Sequence, residues 1–156
     1  MDTDLFLLDC QLQLTPVWFE KYPYITLTFG DKIVYTGRLV ESAVFAIRES
    51  LPAGNYAIEL TFNNKTDSDS KLDQGLDMAV LIDRIEFNGM SDSRFIWEGE
   101  YRPIYNPEWV KQQQTAPDTV LKNATYLGWN GTWRLDFTVP IFTWIHKTLS
   151  FGWIYD

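Results

Sequence analysis

One cysteine, Cys10, and one histidine, His146, are all that the 156 residues hold of the two most versatile reactive side chains. A lone thiol excludes an internal disulfide and any cysteine-based metal site. A lone imidazole, with no Ser, Cys or Asp pattern around it, excludes a multi-histidine metal centre and a histidine-based triad. Positive charge is also scarce: 13 Lys and Arg stand against 21 Asp and Glu, a formal charge of −8. Without a basic stripe to neutralise phosphates, nucleic acid is excluded as a partner, and an anionic membrane surface with it. No apolar run reaches the length that crosses a bilayer. The start, MDTDLFLLDC, is acidic and lacks the basic opening and long apolar stretch of a signal peptide. The expectation is a protein made and kept in a cytoplasm, or packaged from one. The sequons Asn64-Lys65-Thr66, Asn123-Ala124-Thr125 and Asn130-Gly131-Thr132 are then expected to stay unmodified. No phosphate loop, dinucleotide fingerprint or zinc-protease motif is present.

What the chain does have is aromatics, 16% of its residues, together with β-branched side chains that fit a pleated surface. Leu8, Cys10, Leu12 and Leu14 alternate with polar neighbours, which predicts a half-buried first strand with Cys10 as a structural thiol. Residues 24–29 and 32–35 flank Gly30-Asp31, a tight hairpin. Residues 38–48 alternate without interruption and predict one long strand. Tyr56, Ile58, Leu60 and Phe62 form an apolar face, and 78–87 begins as an apolar run suited to the middle of a sheet and ends at Asn88-Gly89. Phe95, Trp97, Gly99 and Tyr101 alternate as a further strand. Asn106-Pro107-Glu108-Trp109 has the cap, the first-turn proline and the acid of a short helix through Gln113. Residues 133–139 read as strand, and 149–155 as a closing strand. Residues 140–147 remain open between a helical stripe of Ile141, Trp144 and Ile145 and the strand preference of their residue types. These readings describe one all-β domain over 1–156, a β-sandwich or jelly roll of nine or ten antiparallel strands with at most one short helix.

Chemistry-bearing residues gather in the polar loop 63–77, where Asn64, Asp67, Asp69, Asp73 and Asp77 offer oxygens to a hard cation such as calcium. The loop is not an EF-hand, since Lys71 and Leu72 fall where an acid and a glycine are required, and a solvated loop is the competing reading. Glu98 and Glu100 on one strand face would lie roughly 7 Å apart, a glycosidase-like separation that a solvent-facing edge explains equally. No catalytic role is expected. Trp129, Trp144, Trp153 and Tyr155 are candidates for sugar stacking or for a protein interface.

The stretch Thr61-Phe62-Asn63-Asn64, followed by residues 77–89, DMAVLIDRIEFNG, resembles the calcium-dependent xylan-binding carbohydrate-binding modules, and residues 24–89 carry that resemblance. It implies a jelly-roll fold, a calcium ion and a glycan partner. Asn64 stands where that family has Asp, and Met78 and Ala79 where it has Arg and Asn, so the implied calcium site is reduced in charge and in ligands. Further on, FIWEGEYRPIYNPEW and YLGWNGTWRLDFTVPIFTWIHK are similar to small virion-associated proteins of tailed marine phages of cyanobacteria. That resemblance implies a non-catalytic structural protein of a phage virion, on head or tail, made in the host cytoplasm. It would dock to other virion proteins in a multimeric assembly through exposed aromatics and strand edges. The alternative expectation is a calcium-dependent glycan-binding module.

Overall fold

The computed structural model describes residues 4–149. Two antiparallel sheets face each other around one core, a β-sandwich. In chain order the strands are β1 (Leu5–Val17), β2 (Tyr24–Phe29), β3 (Lys32–Arg38), β4 (Ala43–Pro52), β5 (Gly54–Phe62), β6 (Ala79–Phe87), β7 (Met90–Ser91), β8 (Glu100–Pro103), β9 (Leu121–Lys122), β10 (Tyr126–Leu127) and β11 (Gly131–Val139). Helices α1 (Ser93–Trp97), α2 (Pro107–Lys111) and α3 (Ile141–Thr148) lie between or after them. The first sheet runs β10-β6-β1-β4, with β7 paired to β6; the second runs β3-β2-β5-β11-β8-β9.

The alternation read in the sequence becomes burial. Leu8, Cys10, Leu12 and Leu14 of β1 are fully buried, as are Ile58, Leu60 and Phe62 of β5, and both sets enter the same core from opposite sheets. Strand β6 lies inside its sheet between β1 and β10, as its apolar start requires. Asn88 and Gly89 both take positive φ, 48° and 85°, and join Phe87 to Met90 in a two-residue turn. Gly30, at φ 59°, turns the β2–β3 hairpin.

Four expectations change. The strand read over 38–48 is two strands in different sheets: β3 ends at Arg38 and β4 begins at Ala43. The alternation survives the crossing because Leu39 still points into the core. The strand read from Phe95 to Tyr101 begins as α1, whose cap Asp92 accepts from the Arg94 N–H at 2.9 Å. Phe95 and Ile96 are both buried, a pair of neighbours that a strand would send to opposite faces. Glu98 therefore caps a helix while Glu100 opens β8, and the two do not share a strand face. Finally, the open stretch after Pro140 is helix α3, so the described residues hold three α-helices where at most one was expected. Of the expected closing strand 149–155, only Leu149 falls within the described residues, where it follows α3.

Candidate functional site: an aromatic cleft at one end of the sandwich

Three connections meet beyond the ends of β5, β8 and β11: the loop 63–77, the segment leading into α2, and the turn 128–130 that feeds β11. Between them lies an open cleft of about 1040 Å³. The chain builds it from the strands outward. Gly131 starts β11 where a Cβ would lie 2.4 Å from the Arg102 carbonyl oxygen, so only glycine lets β11 pair this closely with β8. The Ile104 N–H then donates to the Asn130 carbonyl at 2.6 Å, fixing the turn to the end of β8.

Trp129 occupies the centre. The Tyr101 hydroxyl accepts from its N–H at 3.0 Å and donates to its carbonyl. Burial first of all drives the Tyr101 hydroxyl far above the ordinary phenol range, so it keeps its proton and can serve both groups. The Trp129 ring meets Trp109 of α2 at 4.8 Å between centroids and Tyr105 edge-on at 5.2 Å; Tyr105 and Trp109 stack at 5.3 Å. All three residues are half-buried. Tyr105 is anchored by its hydroxyl, which donates to the Asp118 carbonyl at 2.7 Å. Leu72 and Ile104 border the same cleft, and at 74% and 70% exposure they are the most exposed large apolar side chains among the described residues.

The polar wall comes from the loop. The Asn130 side chain pairs with the Lys65 backbone as a strand would, accepting from its N–H and donating to its carbonyl, both at 2.9 Å. The Lys65 ammonium donates to Asp77 Oδ1 at 2.7 Å and to the Gly128 carbonyl at 2.6 Å. The Tyr126 hydroxyl donates to the other Asp77 oxygen. Burial pushes the Asp77 carboxyl up, but the Lys65 and Tyr126 hydrogen bonds and the Lys65 charge outweigh it and leave the group below the usual carboxylate range. At the lip, Asn106 caps α2 by accepting from the Glu108 N–H at 2.8 Å and donates to Asp67 at 2.6 Å.

The five oxygen-bearing candidates of the loop are thus dispersed. Asn64 accepts from the Tyr24 N–H at 2.8 Å and donates to the Tyr22 carbonyl at 3.0 Å, tying the loop to β2. Asp69 is buried against Lys21 at 2.9 Å and Thr66. Asp73 is exposed on a single 3-10 turn, Leu72–Gln74. Asp67 and Asp77 alone line the cleft. Among the described residues no three His, Cys, Asp or Glu side chains converge as a metal site, so the residues present do not fit the calcium ion implied by the sequence resemblance. Of the aromatic candidates, Trp129 is in the cleft. Trp144 lies on α3, half-buried, with its ring 5.4 Å from Phe87 and 5.5 Å from Phe95. Trp153 and Tyr155 lie outside the described residues. Sequence reasoning missed Tyr101, Tyr105, Trp109, Tyr126 and Lys65 as cleft residues. The available signal was three turn-flanked segments carrying aromatics, IYNPEW, NATY and GWNG, each of which stands at a strand end.

No family model matches the chain, and no curated protein matches it. Two solved structures are similar to it. One is vCBM60 in complex with galactobiose, at a TM-score of 0.47 and 16% identity over 81% of this chain and 96% of that one. The other is a selenomethionine form of vCBM60, described with a circular permutation linking two families of calcium-dependent carbohydrate-binding modules. It matches at a TM-score of 0.48 and 16% identity over 82% of this chain and 89% of that one.

Proposed function

We propose that the protein is a non-catalytic glycan-binding module that holds a hydroxyl-rich oligosaccharide in the aromatic cleft. One observation carries the reading: the half-buried trio Tyr105, Trp109 and Trp129 and the two most exposed aliphatic side chains, Leu72 and Ile104, border one cavity with a polar wall. Large exposed apolar groups gathered at a concave surface mark a binding site. A sugar ring matches this mixture, because its C–H face packs on an indole while its rim of hydroxyls needs donors and acceptors such as Asn130, Asp67 and Asn106. The volume suits an oligosaccharide better than a single sugar.

Hydrolysis is not part of the proposal. A glycosidase needs one carboxyl kept protonated and poised as an acid. Asp77 is shifted the other way and spends both oxygens on Lys65 and Tyr126.

Docking within a phage particle is the leading expectation from the sequence, and the glycan-binding module its alternative. Two of its four aromatic candidates, Trp153 and Tyr155, lie outside the described residues, and no observation on the rest favours it over the cleft.

The test is titration calorimetry against neutral oligosaccharides, including xylo-oligosaccharides and galactobiose, with native protein and Trp129→Ala. Binding by the native protein that falls at least tenfold in the variant, with the melting midpoint kept within a few degrees, is the expected result. Equal affinity in the two proteins would remove the cleft from consideration.

A further inference from the structure

We propose that Lys65 is a resident cation, built into the chain, that assembles the cleft without any divalent metal. In its second half, that the cleft binds its ligand metal-free, the proposal rests on the glycan reading above; in its first half it does not.

The geometry leads there in three steps. A calcium ion takes 6–8 oxygen ligands at 2.3–2.6 Å, several of them charged. Here two protein oxygens, Asp77 Oδ1 at the end of the loop and the Gly128 carbonyl in the turn, converge on one point, and the group at that point is the Lys65 ammonium, 2.7 and 2.6 Å from them. Neighbouring groups that could have completed an oxygen shell are committed elsewhere. Both ends of the Asn64 amide are bonded to the backbone around β2, and Asp69 faces Lys21. Ala79, fully buried, offers no side-chain oxygen.

The second step is electrostatic. Lys65 and Asp77 are each only 12% exposed, so solvent screens the pair weakly. A divalent ion taking the position at Asp77 Oδ1 and the Gly128 carbonyl would have to displace the ammonium, and one bound beside it would set two cations against each other. The third step is architectural. Lys65 holds the turn through its ammonium on Gly128 and through its backbone on Asn130, while Asp77 at the far end of the loop takes the same ammonium. One side chain thereby joins the start of the loop, its end and the turn that carries Trp129. That is the cross-linking a bound cation provides, delivered by a residue that cannot be chelated away.

The experiment has two arms. In the first, thermal unfolding is followed for the native protein in millimolar calcium and in excess chelator, and for Lys65→Met and Lys65→Ala. The native midpoint should be the same in both media, and both variants should melt lower. Adding propylammonium, which restores the three carbons and the ammonium missing from Lys65→Ala, should raise the midpoint of that variant. The same concentration of tetramethylammonium, which cannot donate hydrogen bonds, should not. A native midpoint that rises with calcium overturns the proposal, because a ligand of the folded state must raise it; so does a Lys65→Met variant that melts like the native protein. In the second arm, oligosaccharide affinity is measured with calcium and with chelator and should agree within twofold. Affinity lost in chelator overturns the metal-free reading of the cleft. Absence of binding in both media defeats the glycan reading, while the melting arm still decides the role of Lys65.

Discussion

The hydroxyl of Tyr101 is bonded to both backbone polar groups of Trp129, accepting from its N–H at 3.0 Å and donating to its carbonyl. Tyr101 is a strand residue at 1% exposure, paired with Trp133 in the middle of β8–β11, while Trp129 belongs to a turn. The central ring of the cleft is therefore located by a side chain of the core.

Tyr101→Phe removes that location with little change in volume. Leaving a half-buried N–H and carbonyl without their partner costs about 1–3 kcal/mol. A urea titration should show this loss, and oligosaccharide affinity should fall along with it. An unchanged midpoint would mean that water replaces the hydroxyl at no cost.

Gly99→Ala tests close packing. A Cβ at Gly99 would stand 2.3 Å from Nε1 of Trp133, whose indole is fully buried and finds no hydrogen-bond acceptor among the described residues. Relieving the clash must shift either the ring or the turn between α1 and β8, at about 1–3 kcal/mol. Gly75→Ala, with open space around the added methyl, should cost less despite its φ of 72°. Equal losses for the two variants would show that backbone strain at Gly75 costs as much as the clash at Gly99.

Acid should loosen the cleft wall through Asp77. Its carboxyl in the folded chain lies below the ordinary aspartate value of 3.8, so its contribution is fully present above that value and is lost as pH falls through the lower, folded one. Asp77→Asn should lower stability at neutral pH and flatten the acid limb of a stability–pH curve below about pH 4. A limb of native steepness in the variant would assign acid sensitivity elsewhere, with Asp69, also lowered, the next group to replace.

Cys10 should be inert until the sandwich opens. Burial, with a smaller contribution from the Asp9 charge, pushes its thiol up to about 12. The thiolate is the reactive form. A disulfide reagent at pH 8 should therefore modify Cys10 only at the rate of unfolding and promptly in denaturant. Rapid labelling of the native protein would contradict the burial of β1.

How far the sequence could be read differs between core and cleft. Strands with one wet face, such as β1 and β5, announce themselves because a period of two is enforced over their full length by burial on one side. The same rule misled at 95–101, where alternation is a coincidence of a one-turn helix, capped by Asp92, followed by a short strand. The crossing at 39–42 was hidden because inward and outward positions keep their order when the chain changes sheets. In the site, Asp67, Asp77 and Trp129 were singled out by residue type. Tyr101, Tyr105, Trp109 and Tyr126 were not, because what brings them together is the pairing of β8 with β11 and of β10 with β6, contacts between segments distant in sequence.

The pairing of Lys65 with Asp77 also bears on how a ligand arrives. The cation and anion cancel within 2.7 Å of each other, which leaves Asp67, among the described residues, as the one unbalanced charge of the cleft wall, in a chain that carries −8. Beyond a Debye length, about 8 Å at physiological ionic strength, even that surrounding charge is screened. A neutral ligand is then neither drawn in nor turned away, and its association rate should be that of unsteered diffusion, indifferent to salt. An anionic polymer, by contrast, meets repulsion at low ionic strength before it can touch the aromatic rings. Selectivity between the two would begin at the encounter, ahead of any contact.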